Sequence, residues 1–172
     1  MQIEPDTKDW TWVLAEPCPE CGLAAADVPP TEIAARVVAD LPRWEAVLAR
    51  PDAGERPTPT SWSPTEYACH VRDVFVLFGQ RAQLMLDEDD PLFANWDQDV
   101  TAIEDDYASQ QASDVSPQLV AAGHGIAAIF DAVPADAWGR VGRRTNGSFF
   151  TVETLAQYFW HDVVHHLHDV RG

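Results

Sequence analysis

The chain of 172 residues is short of positive charge, and above all of lysine. It carries 11 basic residues against 28 acidic ones, which gives a formal net charge of −17, and Lys8 is its one lysine. A negative field of this size repels phosphate backbones and anionic lipid headgroups. We therefore expect neither nucleic acid nor a membrane surface as a partner.

Long apolar runs are missing as well. No stretch approaches the roughly 20 apolar residues that span a bilayer, and the first residues have neither the basic nor the apolar part of a secretory signal. We therefore expect a cytoplasmic protein. Because 46% of the residues are hydrophobic and seven are tryptophan, the chain is long and apolar enough for one globular domain. Its expected partner is a small-molecule substrate, and a homodimer is left open.

Cysteine is scarce, with Cys18, Cys21 and Cys69 as the only three. The Cys18-Pro-Glu-Cys21 spacing matches half of a zinc ribbon, but no second pair follows, which excludes a four-sulfur site. A thioredoxin-like motif would need a βαβ unit, and none is visible. We interpret Cys18 and Cys21 as reduced structural thiols in an irregular N-terminal arm, residues 1–30, whose tryptophans pack it onto the domain.

Helical periodicity dominates the rest of the chain. Apolar spacing and capping signals predict helices near residues 31–50, 63–88, 115–133 and 151–170. The clearest start is Ser63-Pro64-Thr65-Glu66, which provides an N-cap serine, a proline at the first helical position and a glutamate that closes a capping box. No convincing sheet is evident. The sequence predicts an all-α four-helix bundle over residues 31–172.

Histidines are concentrated at the end of the chain, where four of the six lie between residues 158 and 170. At roughly 100° per residue, His161, His165 and His168 fall within about 60° of one another on one helical stripe. Two imidazoles one turn apart can bind one divalent ion. A solvated polar face would give the same pattern, since the strongest aliphatic stripe, which includes His166, points almost the opposite way. The pattern alone leaves both interpretations open.

Two short motifs resemble the DinB/YfiT-like superfamily, which includes the mycothiol-dependent maleylpyruvate isomerases. One is the entry to the second helix, from Trp62-Ser63-Pro64 to a histidine several residues on, His70. The other is the final-helix pair His161-Asp-Val-Val-His165. The resemblance spans about residues 32–170 and implies a four-helix bundle with a divalent metal held by His70, His161 and His165. It leaves out the arm and identifies no thiol-binding residues.

The resemblance implies a metal-dependent enzyme. Zinc is the first choice of ion, with nickel and iron as alternatives, and mycothiol or a similar small thiol is an implied cofactor. Three imidazoles leave an open position at which a thiol would become a strong nucleophile, which favours an S-transferase or isomerase. Activation of water there would instead give a hydrolase. A non-catalytic bundle that binds a metal or a ligand is the third alternative.

Several other residues are candidates for parts of such a site. Asp162 and Asp169 could accept hydrogen bonds from the histidine ligands, although exposed acidic residues need no such role. The base cluster could hold an anionic substrate or cofactor; it consists of Arg140, Arg143 and Arg144. A structural metal would need a fourth protein ligand, which could be Cys69, His168 or a thiol of the arm.

Overall fold

The structure is a computed structural model that describes Ile3 and residues 8–172, and within these residues the chain is mainly helical. Helices α1 to α5 span Pro30–Leu48, Pro64–Asp87, Gln98–Glu104, Ala112–Asp131 and Val152–Asp169. Strands β1 to β3 span Leu92–Phe93, Val141–Arg144 and Phe149–Thr151. The four long helices α1, α2, α4 and α5 confirm the predicted helical bundle. No helix in the described part is both long and apolar enough to cross a membrane.

The bundle core is aromatic and centres on α5. The Phe159 ring lies 5.8 Å from those of Phe75 and Phe78 in α2 and 5.5 Å from that of Phe130 in α4, measured between centroids. All four rings are buried. Burial of such rings contributes roughly 1.5–3 kcal/mol each, so this cluster fixes the rotation of α5 and with it the direction of every polar side chain on that helix.

One glycine is required where α4 meets its neighbours. A Cβ on Gly123 would lie 2.5 Å from Leu41 Cδ2 and 3.0 Å from Phe75 Cε2. These distances are shorter than van der Waals contact, so α4 approaches α1 and α2 closely because residue 123 has no side chain.

Two long helices start at capping residues, and a third starts earlier than the sequence predicted. At α2, the predicted capping box is present: Ser63 accepts from the Glu66 N–H, and Glu66 accepts from the Ser63 N–H at 2.8 Å. At α5, Thr151 and Thr154 form a second box. The expected start of the third long helix near residue 115 was late, because α4 already begins at Ala112 and includes Pro117. Pro117 is the sixth residue of the helix, where it removes the N–H that would donate to the Ser113 carbonyl, and α4 nevertheless continues through it to Asp131.

A three-stranded sheet closes one end of the bundle. Strand β2 pairs in parallel with β1 and antiparallel with β3, and the strands have two to four residues each. Such strands are too short to show an alternating pattern, which is why the sequence predicted no convincing sheet. Gly147 makes the β2–β3 turn with φ +96°. The turn leads the chain directly into α5.

The N-terminal segment lies along α5, apart from residues 1, 2 and 4–7 of the predicted arm, which are outside the described residues. The Trp10 ring packs against those of His161 and His165, with centroids 5.8 and 5.1 Å away. Gln157 Nε2 donates to the carbonyls of Ala26 and Val28 at 3.2 and 3.1 Å. The arm therefore contacts the same helix that carries the histidines.

The capping glutamate of α2 also forms a buried ion pair, which gives a testable pH dependence. Glu66 accepts hydrogen bonds from the Arg56 guanidinium, including one of 2.9 Å from Nε, and its side chain is 4% exposed. Burial raises the pKa of Glu66, but hydrogen bonds from Arg56 and Ser63 outweigh it, so the pKa lies below its usual value.

We expect Glu66→Gln to lower the free energy of unfolding at pH 7 by roughly 1–3 kcal/mol. The folded pKa is lowered, so this stability is present above the unfolded pKa of about 4.3 and is lost as pH falls through the folded pKa. Urea titrations of both proteins from pH 3 to 7 should converge at the acid end. Glu32→Gln is the control, because its pair with Arg36 is about half exposed and should contribute at most about 0.5 kcal/mol.

Candidate metal centre

Helix α5 carries two ligand pairs on neighbouring stripes. His161 and His165 are one turn apart, and so are Asp162 and His166. Successive residues differ by about 100°, so the two pairs point in different directions. The first pair meets two cysteines of the arm, and the second meets a histidine of α2.

Among the described residues, two clusters of side chains that could hold a metal ion result. The His–Asp–His centre consists of His70, Asp162 and His166, and the Cys–His centre consists of Cys18, Cys21, His161 and His165. Within each cluster, one ligand atom per residue lies within 4.8 Å of all the others.

The predicted ligand set is divided between these clusters. His161 and His165 lie together, as the one-turn spacing predicts, but His70 belongs to the other cluster with Asp162 and His166. The physical reason is the rotation of α5 set by its aromatic core, which turns the 162/166 stripe toward α2. His168, which the sequence analysis named as a possible fourth ligand, belongs to neither cluster, and its side chain is 56% exposed.

The His–Asp–His centre is compact, with its ligand atoms close together. His70 Nε2 lies 3.4 Å from Asp162 Oδ1, and His166 Nε2 lies 3.7 Å from the same oxygen. His70 is fully buried, and among the described residues neither of its ring nitrogens nor Asp162 Oδ1 has a hydrogen-bond partner. An unsatisfied buried polar group costs about 1–3 kcal/mol.

A divalent ion fits these three residues. Two ligands about 2.05 Å from a tetrahedral ion are about 3.3 Å apart, close to the observed 3.4 Å between His70 and Asp162. Coordination would also satisfy the buried nitrogen and oxygen. Imidazole and carboxylate together suit zinc and other first-row ions.

The surroundings hold both histidines in place. Trp96 stacks on His70 with an interplanar angle of 9° and centroids 5.3 Å apart, and Trp62 covers another side at 5.5 Å. His166 Nδ1 lies 3.0 Å from Asp169 Oδ2. When Nδ1 donates to this carboxylate, Nε2 presents its lone pair toward Asp162 and His70. Asp169 thus has the predicted role of a histidine-orienting acceptor, whereas Asp162 is itself a candidate ligand.

The protonation states suit metal binding. Burial lowers the pKa of His70 and outweighs the opposing effect of Asp162, so the ring is neutral at pH 7. Burial alone would raise the pKa of Asp162, but the imidazoles of His70 and His166 hold it at about 2. Neutral imidazole and ionised carboxylate are the forms that coordinate metals.

The Cys–His centre lies on the next stripe of α5. Cys18 is buried, and its Sγ is 3.6 Å from His165 Nδ1. The His161 Nε2 atom is buried without a hydrogen-bond partner in the described part of the chain. Burial, followed by the charge of His165, lowers the pKa of His161 to about 4, and burial raises the pKa of Cys21 to about 11. The sequence interpretation favoured two structural thiols, while it left open an arm thiol as the fourth ligand of a metal held by histidines; the structure places both thiols beside His161 and His165.

A cavity of about 310 Å³ opens beside both centres. Its lining includes all four ligand-type residues of α5 and the aromatic rings of Trp10, Trp62, Tyr67 and Tyr158. A second cavity of about 940 Å³ adjoins it and shares some of its lining residues, Lys8, Trp10, Gln98, Asp99 and Tyr158. Together they provide room for more than one small molecule next to the His–Asp–His centre.

The three arginines of the predicted base cluster have different surroundings. Arg140 donates to the carbonyls of Met85 and Glu88 at 2.7 and 2.6 Å, which caps the end of α2. Arg143 pairs with Asp90 at 3.0 Å. Neither lines the two cavities, so the prediction that they bind a cofactor has no support from their positions. Arg144 lines the larger cavity.

Cys69 lies away from both cavities. Its thiol is buried and donates to Gln110 Oε1 at 3.3 Å, and burial raises its pKa to about 12. A neutral, enclosed thiol is a poor nucleophile. This position agrees with a packed core residue, and Cys69 belongs to neither metal-binding cluster.

Sequence reasoning missed His166 as a ligand and gave Asp162 only a supporting role. The signal was present, since Asp162-x-x-x-His166 has the same one-turn spacing as His161-x-x-x-His165. His166 lies within the strongest aliphatic stripe of the helix, so the sequence pattern did not mark it as a ligand. The choice between the pairs depends on which stripe faces α2.

Comparison with known proteins supports the fold described above. No family model and no curated protein matches the chain by sequence. A solved structure described as "YfiT from Bacillus subtilis is a probable metal-dependent hydrolase with an unusual four-helix bundle topology" is similar, with a TM-score of 0.67 and 16% sequence identity. The match covers 97% of this chain and 89% of the YfiT chain. The four-helix-bundle fold that the sequence resemblance implied is thereby confirmed.

The unsatisfied nitrogens of His70 predict an unusual effect on stability. In metal-stripped protein, we expect His70→Phe to leave the free energy of unfolding within about 1 kcal/mol of the parent or to raise it, because an apolar ring removes two nitrogens that form no hydrogen bond within the described part of the chain. Denaturant titration in the presence of a chelator measures this. Phe75→Ala is the control and should cost about 3–5 kcal/mol. A loss above about 2 kcal/mol in His70→Phe would show that His70 has polar partners.

Proposed function

We propose that the protein is a divalent-metal-dependent enzyme whose metal is held by His70, Asp162 and His166. The observation that carries the proposal is a fully buried imidazole whose two nitrogens form no hydrogen bond with the described residues, and whose Nε2 lies 3.4 Å from a buried carboxylate oxygen that forms none either. Groups in such surroundings are costly to keep and are concentrated at functional sites. The adjoining cavity gives a substrate access to the same point.

The metal would supply Lewis-acid chemistry, which makes a thiol or a water molecule a better nucleophile at neutral pH. The chain itself contributes orientation and exclusion of water. Asp169 sets the His166 tautomer through the 3.0 Å contact, and Trp96 and Trp62 shield His70 from solvent. The nucleophile comes from outside the chain, because Cys69 is enclosed and the arm thiols face His161 and His165.

A small thiol is our first choice of nucleophile, which makes the reaction an S-transfer or a thiol-assisted isomerisation. Two adjoining cavities offer separate space for a thiol cofactor and an electrophile. Arg144 lines the larger one, and its hydrogen-bond partners Asn146 and Ser148 are both neutral. Asp9 lines the same cavity and is within electrostatic reach of this guanidinium, so an anionic group of the cofactor, such as a carboxylate, competes with Asp9 for its charge.

Hydrolysis is the second candidate. The observation in its favour is the fold shared with YfiT, a protein described as a probable metal-dependent hydrolase. The smaller cavity is bordered by acidic residues, Glu20, Asp99, Asp162 and Asp169. This border favours a neutral or cationic substrate over an anionic one in either reaction.

The test compares His70→Ala with Cys69→Ser in an activity screen. Each protein, loaded in turn with zinc, nickel or ferrous iron, is assayed with low-molecular-weight thiols against electrophiles and, without thiol, against activated esters. We expect His70→Ala to lose at least about 100-fold in kcat/KM. This is the upper end of the loss seen when a residue that only orients a metal ligand is removed, and loss of a ligand itself should cost no less. Cys69→Ser should retain parental activity.

The outcomes separate the candidate functions. Turnover that requires added thiol supports the transferase or isomerase, and thiol-independent ester cleavage supports the hydrolase. Full activity in His70→Ala would contradict the proposed centre. Absence of turnover in the metal-loaded parent with every substrate would favour a non-catalytic binding protein.

A further inference from the structure

The Cys–His centre has no part in the function proposed above, yet its composition is that of a metal site. Two cysteines three positions apart face two histidines four positions apart on α5. Two thiolates and two imidazoles form one of the ligand sets that hold structural zinc, whereas magnesium and calcium require oxygen ligands.

The distance between a cysteine sulfur and a histidine nitrogen in this centre fits a shared ion. A sulfur about 2.3 Å and a nitrogen about 2.05 Å from a tetrahedral zinc are about 3.5 Å apart. Cys18 Sγ and His165 Nδ1 are 3.6 Å apart. All four ligand atoms lie within 4.8 Å of one another, so a small contraction would bring them into one coordination sphere.

The backbone around the cysteines forms a tight turn that places both on the same side. The Gly22 N–H donates to the Cys18 carbonyl at 2.8 Å, and the Cys18 N–H donates to the Leu23 carbonyl at 2.9 Å. Gly22 has φ +77°, a conformation that a side chain at this position would disfavour. The turn holds Cys18 and Cys21 together toward α5.

The histidines also have the environment of ligands. His161 Nε2 is buried without a hydrogen-bond partner among the described residues. His165 Nε2 lies 3.6 Å from Glu20 and 3.8 Å from Asp169, on the side of the ring away from Cys18. A carboxylate near the second ring nitrogen favours the tautomer whose Nδ1 lone pair points at a metal.

We propose that Cys18, Cys21, His161 and His165 bind a zinc ion that fastens the N-terminal arm to α5. Four protein ligands complete a tetrahedral sphere, so this site is structural and leaves no open position for a substrate. The ion joins residues of the arm and α5 that are 140 or more positions apart in the chain. It shares no ligand with the His–Asp–His centre.

The experiment measures metal content and the electronic spectrum of the cobalt-substituted protein. Metal-free, reduced protein is titrated with Co²⁺ and, separately, with Zn²⁺, and bound ions are counted after dialysis. Thiolate coordination produces a sulfur-to-cobalt charge-transfer band that a His–Asp–His site lacks. The variants are Cys18→Ser/Cys21→Ser and His70→Ala, with Cys69→Ser as the matched control for loss of a thiol.

We expect the parent and Cys69→Ser to show the charge-transfer band, His70→Ala to keep it, and the double serine variant to lose it together with one bound ion. Chelation of the zinc should lower Tm by at least about 5 °C. It should also accelerate cleavage by a glutamyl endopeptidase at Glu16 and Glu20, which are exposed arm residues, by at least about tenfold as the arm opens.

If the double variant does not fold, the spectrum of the cobalt-substituted parent protein is sufficient to test the proposal. Absence of the charge-transfer band in reduced parent protein would overturn the proposal. So would a Cys18–Cys21 disulfide that persists in protein purified under reducing conditions. A band in the parent with unchanged metal content in His70→Ala would uphold the structural zinc site while refuting the enzymatic centre.

Discussion

The angular offset between adjacent residues on α5 is the constraint on which the site depends. Residues 161 and 165 share one stripe, and residues 162 and 166 share the next, about 100° away. Because each stripe carries two ligand-type side chains, a single helix serves two partners: α2, which contributes His70, and the arm, which contributes Cys18 and Cys21. A rotation of α5 by one residue would separate both sets. The aromatic cluster around Phe159 opposes such a rotation, since all its rings are buried against α2 and α4.

Asp169 links the two clusters. Its carboxylate lies 3.0 Å from His166 Nδ1 and 3.8 Å from His165 Nε2, so it faces one histidine of each. Neighbouring imidazoles, His166 first among them, lower the pKa of Asp169 despite its burial, and its negative charge opposes the lowering of the pKa of His165 that burial causes. A change at either centre therefore alters the electrostatic environment of the other through one carboxylate.

Local chemistry was sufficient to predict most of the fold. The capping box at Ser63 and the threonine cap at residue 151 involve contacts within three residues, and both are present. The ligand set was not predictable in the same way. His161/His165 and Asp162/His166 have identical spacing, and choosing between them requires knowing which stripe faces α2, a consequence of tertiary packing. Cys18 and His165 are in contact although they are 147 positions apart in the chain. Helical periodicity relates only residues within one helix, so it could not predict this contact.

The two proposed metal sites differ in the chemical softness of their ligands, and this difference determines which ions each site favours. The chain's net charge of −17 attracts divalent cations of every kind to its surface, so charge alone selects none of them. Thiolates at Cys18 and Cys21 favour zinc over the harder cations, whereas the carboxylate of Asp162 with two imidazoles accepts a wider range of first-row ions. The cluster with four protein ligands suits a permanent structural ion. The three-ligand cluster, which borders the cavity beside Trp62 and Tyr67, is the one with room for a reacting molecule.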